Sequence, residues 1–357
     1  MILDVADNVL PVFHLMLRHR LALAASEQPR PGWIIMRRVL IDDDSKEIRV
    51  GLGCTSLSHG YSPVQQDEED SVRVIHRALE LGIRIFDTAD IYGPYSNERL
   101  LGRALRKHRD RAVIATKCGL VTNADGTLSR DGSPQHIQAA CEASLTRLRT
   151  DVIDLYQLHR VDPKVPLEET WGAMAALVQA GKVRSLGVSH ASIEELDRIH
   201  AQFPIGAVQY ELSILARHTL EDVLQWCEKT DTPFLAFSPL GRGFLTGQVD
   251  YAALGDKDAR SRDPRFDEQA FTANRTIVDG LTKVSRRHGA TPAQVSIAWV
   301  LAQSDLVIPI PATKRLRWLE QNAAAAKLEL GDEDLRELAR LPEVVGRMRW
   351  DYARTSS

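Results

Sequence analysis

Four ionisable side chains follow the ends of three successive apolar runs in this 357-residue chain. Asp87 and Tyr92 come after one run, Lys117 ends the next, and His159 ends the third. If these runs are parallel strands, their carboxyl ends meet at one edge, where barrel enzymes carry their chemistry. The spacing therefore predicts one shared site that contains all four side chains.

These residue types suit proton transfer to a developing oxyanion. A free tyrosine has a pKa near 10, and a nearby ammonium stabilises the phenolate and lowers that pKa. Lys117 would supply the ammonium, Asp87 would hold it in place, and His159 would donate a second hydrogen bond to the substrate oxygen. With Tyr92 as proton donor, the group predicts a preorganised site for hydride addition to a carbonyl. No side chain can supply hydride, so a cofactor is required.

The elements that must position these residues alternate eight times between strands and helices. The predicted strands are apolar on both faces, as parallel strands covered by helices are. Between them lie amphipathic segments, including one over Glu68–Leu81 and one that begins after Ser133, a favourable N-cap. This alternation predicts an α/β fold, a closed (β/α)8 TIM barrel in a single domain. The eight strands are predicted to begin at Ile48, Ile83, Ala112, Val152, Val183, Gly206, Pro233 and Leu306.

Domain limits follow from the change in composition near residue 36. Residues 1–35 are predicted to form an N-terminal extension without a role in the chemistry, and Asp4 and Asp7 stand where a secretory leader would be basic. Residues 36–343 are predicted to form the barrel, and 344–357 a C-terminal tail. A polar segment over Gln248–Asn274 is predicted to be a binding loop or lid.

An open, doubly wound sheet is the competing architecture. It would carry a dinucleotide fingerprint after the first strand, but the sequence Gly51–Ser56, GLGCTS, lacks the third glycine. The closed barrel is therefore the predicted fold.

Composition excludes several classes of function. The 45 basic and 48 acidic side chains give a net charge of −3, which offers no general attraction for nucleic-acid phosphates. No run of eighteen apolar residues is present, so no membrane-spanning helix is predicted. The four cysteines are widely spaced and show no metal-binding pattern, which is typical of a reduced, cytoplasmic protein.

Motifs in matching order make the sequence resemble the aldo-keto reductase family. They span Arg49 to Leu341, and the GLGC of the first strand is most similar to bacterial barrel reductases of that family. The resemblance implies a barrel without a Rossmann domain that binds NADPH in extended form. It also implies a catalytic tetrad of Asp87, Tyr92, Lys117 and His159, with Tyr92 as proton donor. The motifs are FDTADIYG followed by Asn97-Glu98, then IATKCG, DLYQLHR, GVSH, VQYELS, FSPLGRGFLTG and IPIPATKR with a later EQN.

The resemblance also implies a set of cofactor-binding residues. Ser189, His190 and Gln209 lie at the positions that hydrogen-bond the nicotinamide carboxamide, and Phe237 matches the aromatic residue that stacks on the nicotinamide ring. The pyrophosphate loop corresponds to Ser238, Pro239, Leu240, Gly241 and Gly243. The adenosine end corresponds to Ala312, Thr313, Lys314, Gln321 and Asn322.

Three positions depart from the family pattern. His190 replaces a common asparagine, Ala312 replaces glycine, and Trp318 stands where many relatives carry the arginine that grips the 2′-phosphate. Lys314 and Arg315, together with Arg317, could supply that charge, because a phosphate dianion favours a cationic cluster. The prediction is therefore NADPH as the cofactor.

The predicted activity is reversible reduction of an aldehyde or ketone, with a small-molecule carbonyl compound as partner and the oligomeric state left open. Three alternatives compete with it. A metal-dependent hydrolase would use Asp87, Asp90, His159 and His190, although Lys117 would repel a dication. A class I aldolase would use Lys117 as a Schiff-base nucleophile. A regulatory subunit of the same fold would bind NADPH with little turnover.

Overall fold

A computed structural model describes residues 48–58, 67–256 and 258–346 of the chain. The predicted extension over residues 1–35 and positions 347–357 of the predicted tail lie outside these ranges, so the domain limits stay predictions. Within the described residues, eight parallel strands form one sheet and all eight predicted strands are present. This confirms the predicted (β/α)8 barrel.

Among the described residues, the barrel strands follow one another in chain order around the sheet, and a two-stranded hairpin lies between the third and the fourth of them. The barrel strands are β1 (Leu52–Gly53), β2 (Ile85–Asp87), β3 (Val113–Cys118), β6 (Ile153–Leu158), β7 (Val183–Ser189), β8 (Ala207–Glu211), β9 (Phe234–Phe237) and β10 (Val307–Pro309). The hairpin consists of β4 (Leu120–Thr122) and β5 (Leu128–Arg130).

The glycines of the GLGC sequence serve the closure of the barrel. The amide of Gly51 donates to the carbonyl of Pro309 at 2.9 Å, and that of Gly53 donates to Pro311 at 3.1 Å. A Cβ on Gly53 would lie 2.8 Å from the carbonyl oxygen of Ile310, and one on Gly51 would lie 2.9 Å from its Cγ2. Only glycine permits this close approach. The first strand is shorter than predicted, since regular pairing covers only Leu52–Gly53.

Ten α-helices lie in the part of the chain that the structure describes. They are α1 (Glu68–Glu80), α2 (Ser96–Leu105), α3 (Pro134–Leu148), α4 (Leu167–Gln179), α5 (Ile193–Gln202), α6 (Val223–Thr230), α7 (Glu268–Arg287), α8 (Pro292–Leu301), α9 (Leu316–Ala324) and α10 (Asp332–Ala339). The predicted N-cap at Ser133 is confirmed, and a glycine follows α1 where the predicted amphipathic segment ends. Ser133 accepts a hydrogen bond from the amide of His136 as the N-cap of α3, and Gly82 follows α1 with a φ of +89°.

Alternation along the strands separates the two cores. One set of side chains fills the barrel interior, including Ile85, Val113, Leu155 and Ile308, while the intervening residues pack against the helices. Towards the carboxyl ends the inward positions become polar. The same period of two that buries the apolar residues thus delivers polar side chains to the mouth.

Two further features differ from the sequence predictions. The hairpin β4–β5 was not predicted, because its strands are only three residues each and lack a strong apolar alternation. The polar segment predicted over Gln248–Asn274 ends earlier, since α7 begins at Glu268 and Asn274 lies within that helix. Short 3-10 helices occupy much of the remainder, including Ala259–Arg262 and Pro264–Phe266.

Among the described residues, no helix combines the length and the apolar character that a bilayer crossing requires.

Candidate active site

Asp87 and Lys117 form a buried ion pair at the mouth of the barrel. Asp87 ends β2 and Lys117 lies on β3, and the two residues are 3% and 1% exposed. The Lys117 ammonium donates to Oδ2 of Asp87 at 2.6 Å and to the carbonyl of Thr88 at 2.8 Å. Burial is the largest single effect and lowers the pKa of Lys117, but the charge of Asp87, together with contributions from Tyr92 and from hydrogen bonds, outweighs it and the net direction is upward. Lys117 is therefore a fixed cation.

Tyr92 and His159 lie near this pair and contact each other. The Tyr92 ring is half-buried, its centroid lies 5.3 Å from the Lys117 ammonium, and the rings of Tyr92 and His159 meet edge to face at 6.1 Å. His159 follows directly after β6 and is 8% exposed. The structure thus brings together all four side chains that the sequence predicts to share one site.

The pKa of Tyr92 is higher than that of a free phenol, which corrects one prediction from sequence. Burial is the largest effect and raises the pKa, whereas the charge of Lys117 lowers it and that of Asp87 raises it. Lys117 lowers the pKa, as predicted. Burial has the larger effect, because the phenolate loses more hydration free energy than it gains from one nearby ammonium. Tyr92 is therefore a neutral phenol at physiological pH, as a proton donor must be.

His159 is neutral as well. Burial lowers the pKa of its imidazole well below the usual range, and the positive charges of Arg160 and Lys117 add to this. Its Nδ1 atom is buried and has no hydrogen-bond partner among the described residues. A neutral imidazole carries one N–H, so His159 can donate a hydrogen bond without presenting a charge.

Two residues near the tetrad were missed by sequence reasoning. Gln157 lies on the same inward face of β6 as His159, and its amide donates to Oδ1 of Asp87 at 3.2 Å. Arg160 donates to the carbonyl of His159 at 2.6 Å and to the hydroxyl of Ser189 at 3.2 Å. The period of two in DLYQLH could have identified Gln157, whereas nothing in the local pattern singles out Arg160.

The residues assigned to the nicotinamide carboxamide line the neighbouring strand ends. Ser189 ends β7, and Gln209 on β8 donates its amide to Asp87 at 2.7 Å and to Gln157 at 3.2 Å. These bonds use Nε2 of Gln209, which leaves Oε1 as the acceptor for a ligand. His190 has a φ of +57°. Histidine can therefore replace the family's common asparagine at this position, because both residues tolerate left-handed backbone.

Phe237 and the loop behind it form a ledge at the end of β9. Phe237 is the half-buried member of an otherwise buried strand, and its ring centroid is 5.4 Å from that of His190. The chain then turns through left-handed backbone at Ser238 and over three successive residues, Gly241, Arg242 and Gly243. A Cβ on Gly241 would lie 2.6 Å from Leu215, so this turn needs glycine. The remaining predicted members are Pro239, whose carbonyl accepts from Ser296 at 2.8 Å, and the partly buried Leu240.

A buried ion network holds the segment that follows this loop. Arg265, 2% exposed, donates to Glu211 at the end of β8 at 2.6 Å and to Asp263 at 2.7 Å. Asp263 also contacts Nε of Arg242 at 3.4 Å. The network therefore ties the long connection after β9 both to the barrel mouth and to the glycine loop. Sequence reasoning identified the long connection but not its anchor.

The residues assigned to the adenosine end lie just before α9 and within it. Thr313 and Asn322 are buried, Lys314 and Gln321 are partly exposed, and Ala312 is exposed. Arg315 immediately precedes α9, and the guanidinium of Arg317 lies 4.7 Å from the ring of Trp318. Cationic side chains thus cluster at a helix N-terminus, where the helix dipole also favours an anion.

The residues proposed for a metal site do not form one in the described part of the chain, where no cluster of three potential His, Cys, Asp or Glu ligands is present. Asp87 is occupied by the Lys117 ammonium. Burial, together with the charge of Glu98, raises the pKa of Asp90 to about 7, which weakens it further as a ligand. This geometry favours the proton-transfer site over the hydrolase alternative.

Comparison with known proteins agrees with the geometry. A family model described as the aldo/keto reductase family matches residues 49–343. A relative from Glycine max, described as probable aldo-keto reductase 1, is 39% identical over 291 residues, which cover 81% of this chain and 84% of the relative.

Solved structures give the same result. A glycerol dehydrogenase from Gluconobacter oxydans aligns with a TM-score of 0.77 at 31% identity over 84% of this chain and 93% of its own. An aldo-keto reductase from Klebsiella pneumoniae, solved in complex with NADPH, aligns with a TM-score of 0.63 at 28% identity over 82% of this chain and 90% of its own.

Proposed function

The chain belongs to the aldo/keto reductase family, and on that basis we propose that it is an NADP(H)-dependent oxidoreductase that reduces an aldehyde or ketone, or oxidises the corresponding alcohol. The observation that carries the proposal is the arrangement of a neutral Tyr92 beside the buried Lys117–Asp87 ion pair and the neutral His159. Two neutral donors backed by a fixed cation match the needs of a carbonyl oxygen that becomes negative.

The mouth of the barrel has features that fit an extended dinucleotide. Phe237 offers a partly exposed ring at a strand end, and the glycine loop beside it lies close to guanidinium groups. Arg260 Nη1 is 3.8 Å from the position of a Cβ on Gly243, and Arg242 lies within the loop. Guanidinium groups suit the pyrophosphate, and the N-terminus of α9 suits the 2′-phosphate.

Each predicted contact then receives a role under this proposal. Ser189 and the Oε1 atom of Gln209 would hydrogen-bond the carboxamide, with His190 beside them, and Phe237 would stack on the nicotinamide. Ser238 to Gly243 would wrap the pyrophosphate. The adenosine end would be held by Ala312, Thr313, Lys314, Gln321 and Asn322.

The chain's own residues would transfer the proton and stabilise the negative charge that develops during the reaction. The coenzyme, when bound, supplies the hydride. Tyr92 donates its hydroxyl proton to the substrate oxygen, and His159 donates a hydrogen bond to the same atom. The Lys117 ammonium stabilises the tyrosinate until solvent returns the proton. Asp87 holds Lys117 in place, and the amides of Gln157 and Gln209 hold Asp87.

The cellular setting is part of the proposal. The four cysteines are all buried and unpaired, which supports a reducing compartment, and we place the protein in the cytoplasm. Its partner would be a small-molecule carbonyl compound.

A panel of aldehydes, ketones and sugars tests the proposed function. We expect coenzyme absorbance to fall when purified protein is mixed with NADPH and at least one member of the panel, and to rise with NADP and the matching alcohol. Turnover that requires no nicotinamide coenzyme would contradict the proposal. Tight NADPH binding without turnover of any carbonyl compound would instead favour the regulatory-subunit alternative.

Coenzyme preference is expected to depend on the cations that precede α9. Replacing Lys314 and Arg315 together by alanine should weaken NADPH binding about 10- to 100-fold, since charge-assisted hydrogen bonds contribute roughly 1.5–3 kcal/mol. NADH lacks the 2′-phosphate, so its affinity should change little. Fluorescence titration with both coenzymes measures the two dissociation constants.

The matched control for this variant is the pair Arg106 and Lys107, which are exposed at the C-terminal end of α2. Replacing them by alanine removes the same charge and should leave both coenzyme affinities unchanged. Equal losses of NADPH and NADH affinity in the Lys314/Arg315 variant would reject the phosphate role.

A further inference from the structure

The first turn of α2 buries two polar side chains that the proposed chemistry does not use. Asn97 is 1% exposed and Glu98 is fully buried. They follow Tyr92 by five and six residues. Gly93 lies in the tight connection between Tyr92 and Asn97, where a Cβ would come within 2.9 Å of Ser58 Oγ. Burying an amide and a carboxylate costs free energy unless each is fully hydrogen-bonded. The hydrogen-bond partners of Asn97 and Glu98 therefore show which segments the two side chains connect.

Asn97 joins three segments around Tyr92. Its side-chain nitrogen donates to the carbonyl of Cys54 at 2.8 Å and to the hydroxyl of Ser58 at 2.7 Å, both beyond β1. Its side-chain oxygen accepts from the hydroxyl of Thr88 at 2.6 Å, and its backbone amide donates to the carbonyl of Tyr92 at 3.3 Å. The backbone of Tyr92 is thus tied to β2 and to the loop after β1 through one side chain.

Glu98 ties the same helical turn to β3. The hydroxyl of Thr116 donates to its Oε1 atom at 2.7 Å, and Nε of Arg147 on α3 donates to its Oε2 atom at 2.6 Å. Thr116 precedes Lys117 and lies on the opposite face of the strand, so it turns towards the helices while Lys117 turns into the barrel. Glu98 therefore fixes the first turn of α2 relative to β3, the strand that carries the Lys117 ammonium.

The hydrogen bonds Thr88–Asn97 and Thr116–Glu98 both lie next to the Asp87–Lys117 ion pair. Thr88 follows Asp87, and its carbonyl accepts a hydrogen bond from Lys117 at 2.8 Å. Thr88 and Thr116 are therefore each one residue away from a member of the buried ion pair, and each hydroxyl donates a hydrogen bond to the first turn of α2, which starts four residues after Tyr92. A continuous path of hydrogen bonds runs from Lys117 through Thr88 and Asn97 to Tyr92.

We propose that Asn97 and Glu98 are positioning residues that set Tyr92 against Lys117, so that the phenol stays close to the charge that stabilises its anion. The inference rests on the proposed function. Its physical basis is that the contribution of Lys117 falls with distance, and a displacement of about 1 Å can cost roughly 100-fold in rate. Neither residue touches substrate or coenzyme in this proposal.

Threonine variants test the idea without removing the buried amide or carboxylate. Thr88→Val removes the hydroxyl that donates a hydrogen bond to Asn97. Thr88→Ser keeps this hydroxyl and loses only a methyl group. We expect Thr88→Val to lower kcat about 10- to 100-fold and leave the dissociation constant of NADPH unchanged. Thr88→Ser should recover most of kcat although it leaves a small cavity, which the isosteric Thr88→Val does not. The same contrast is expected for Thr116→Val and Thr116→Ser.

Two further readouts separate positioning from simple destabilisation. The pH profile of alcohol oxidation should move to higher pH in Thr88→Val, because the influence of Lys117 on Tyr92 weakens. Hydrogen exchange of the peptide covering residues 88–98 should become faster in Thr88→Val but not in Thr88→Ser, and this measurement needs no substrate. The control is Thr150→Val, which loses a hydroxyl bonded to Arg109 and Val152 away from the mouth.

The outcomes are distinct. A lower kcat with faster exchange in the valine variants, recovery in the serine variants and an unchanged kcat in Thr150→Val would support the inference. Wild-type kcat in Thr88→Val and Thr116→Val, whatever their exchange rates, would overturn it while leaving the proposed function intact. A wild-type protein that turns over no carbonyl compound would overturn the proposed function, and the inference with it.

Discussion

Tyr92→Phe should lower kcat for carbonyl reduction by about 100- to 10,000-fold, the range that a positioned general acid contributes. The variant removes one hydroxyl and keeps the ring, so its edge-to-face contact with His159 is retained. Binding of NADPH should be unchanged, since the phenol contacts the substrate oxygen and not the coenzyme in the proposed site. Steady-state kinetics and coenzyme titration measure the two quantities.

A second tyrosine in the barrel wall provides the control. Tyr156 is fully buried on β6, and its hydroxyl lies 3.5 Å from the carbonyl of Ile137 and within hydrogen-bonding reach of the Cys118 thiol. Tyr156→Phe therefore makes the same chemical change outside the mouth and should keep wild-type kcat. If Tyr92→Phe retained the rate of Tyr156→Phe, the assignment of Tyr92 as proton donor would be wrong.

The predictable part of the site follows from the period of two in the strands. Val113, Ala115 and Lys117 lie on one face of β3, and the first two are buried inside the barrel. A sequence that places apolar residues inward therefore also specifies that the next inward residue enters the mouth. The same argument holds for Leu155 on β6 and for His159 directly after it, and it explains why the meeting of these side chains at the mouth and the closed barrel could both be predicted.

Contacts between elements were less accessible to sequence reasoning. Asn97 and Glu98 are visible as a motif, but their partners Thr88 and Thr116 are 9 and 18 residues away, and neither spacing follows from helix or strand periodicity. The anchor of Arg265 on Glu211 spans 54 residues. Such pairs depend on how two layers pack, and a single sequence does not encode that packing as a local pattern.

The pKa of Tyr92 shows a second limit of the same kind. The sequence indicates which charges lie near the phenol, and Lys117 does lower its pKa. It does not indicate how much water the folded chain removes from the hydroxyl, and that loss of hydration decides the net direction. The consequence is functional, because a neutral phenol is prepared for reduction whereas alcohol oxidation needs the phenolate.

The second large effect is expected for Lys117→Met, which removes the buried cation and keeps most of its apolar volume. Reduction should slow by about 100-fold or more, because the tyrosinate that forms on proton transfer loses its nearest positive charge. Without that charge the pKa of Tyr92 rises further, so the pH profile of alcohol oxidation should move to higher pH. An unchanged profile would contradict the role of Lys117.

The same substitution should also destabilise the fold, and a double variant separates the two effects. Removing one partner of a buried ion pair leaves the other charge uncompensated, at a cost of about 3–5 kcal/mol in the free energy of unfolding. Adding Asp87→Asn removes that charge while keeping Oδ1 as the acceptor for Gln157 and Gln209. Denaturant unfolding should therefore show that the double variant regains much of the stability lost in Lys117→Met, whereas kcat stays low because the ammonium is still missing. If activity returned together with stability, Lys117 would act only through folding, and the proposed electrostatic stabilisation of the tyrosinate would be wrong.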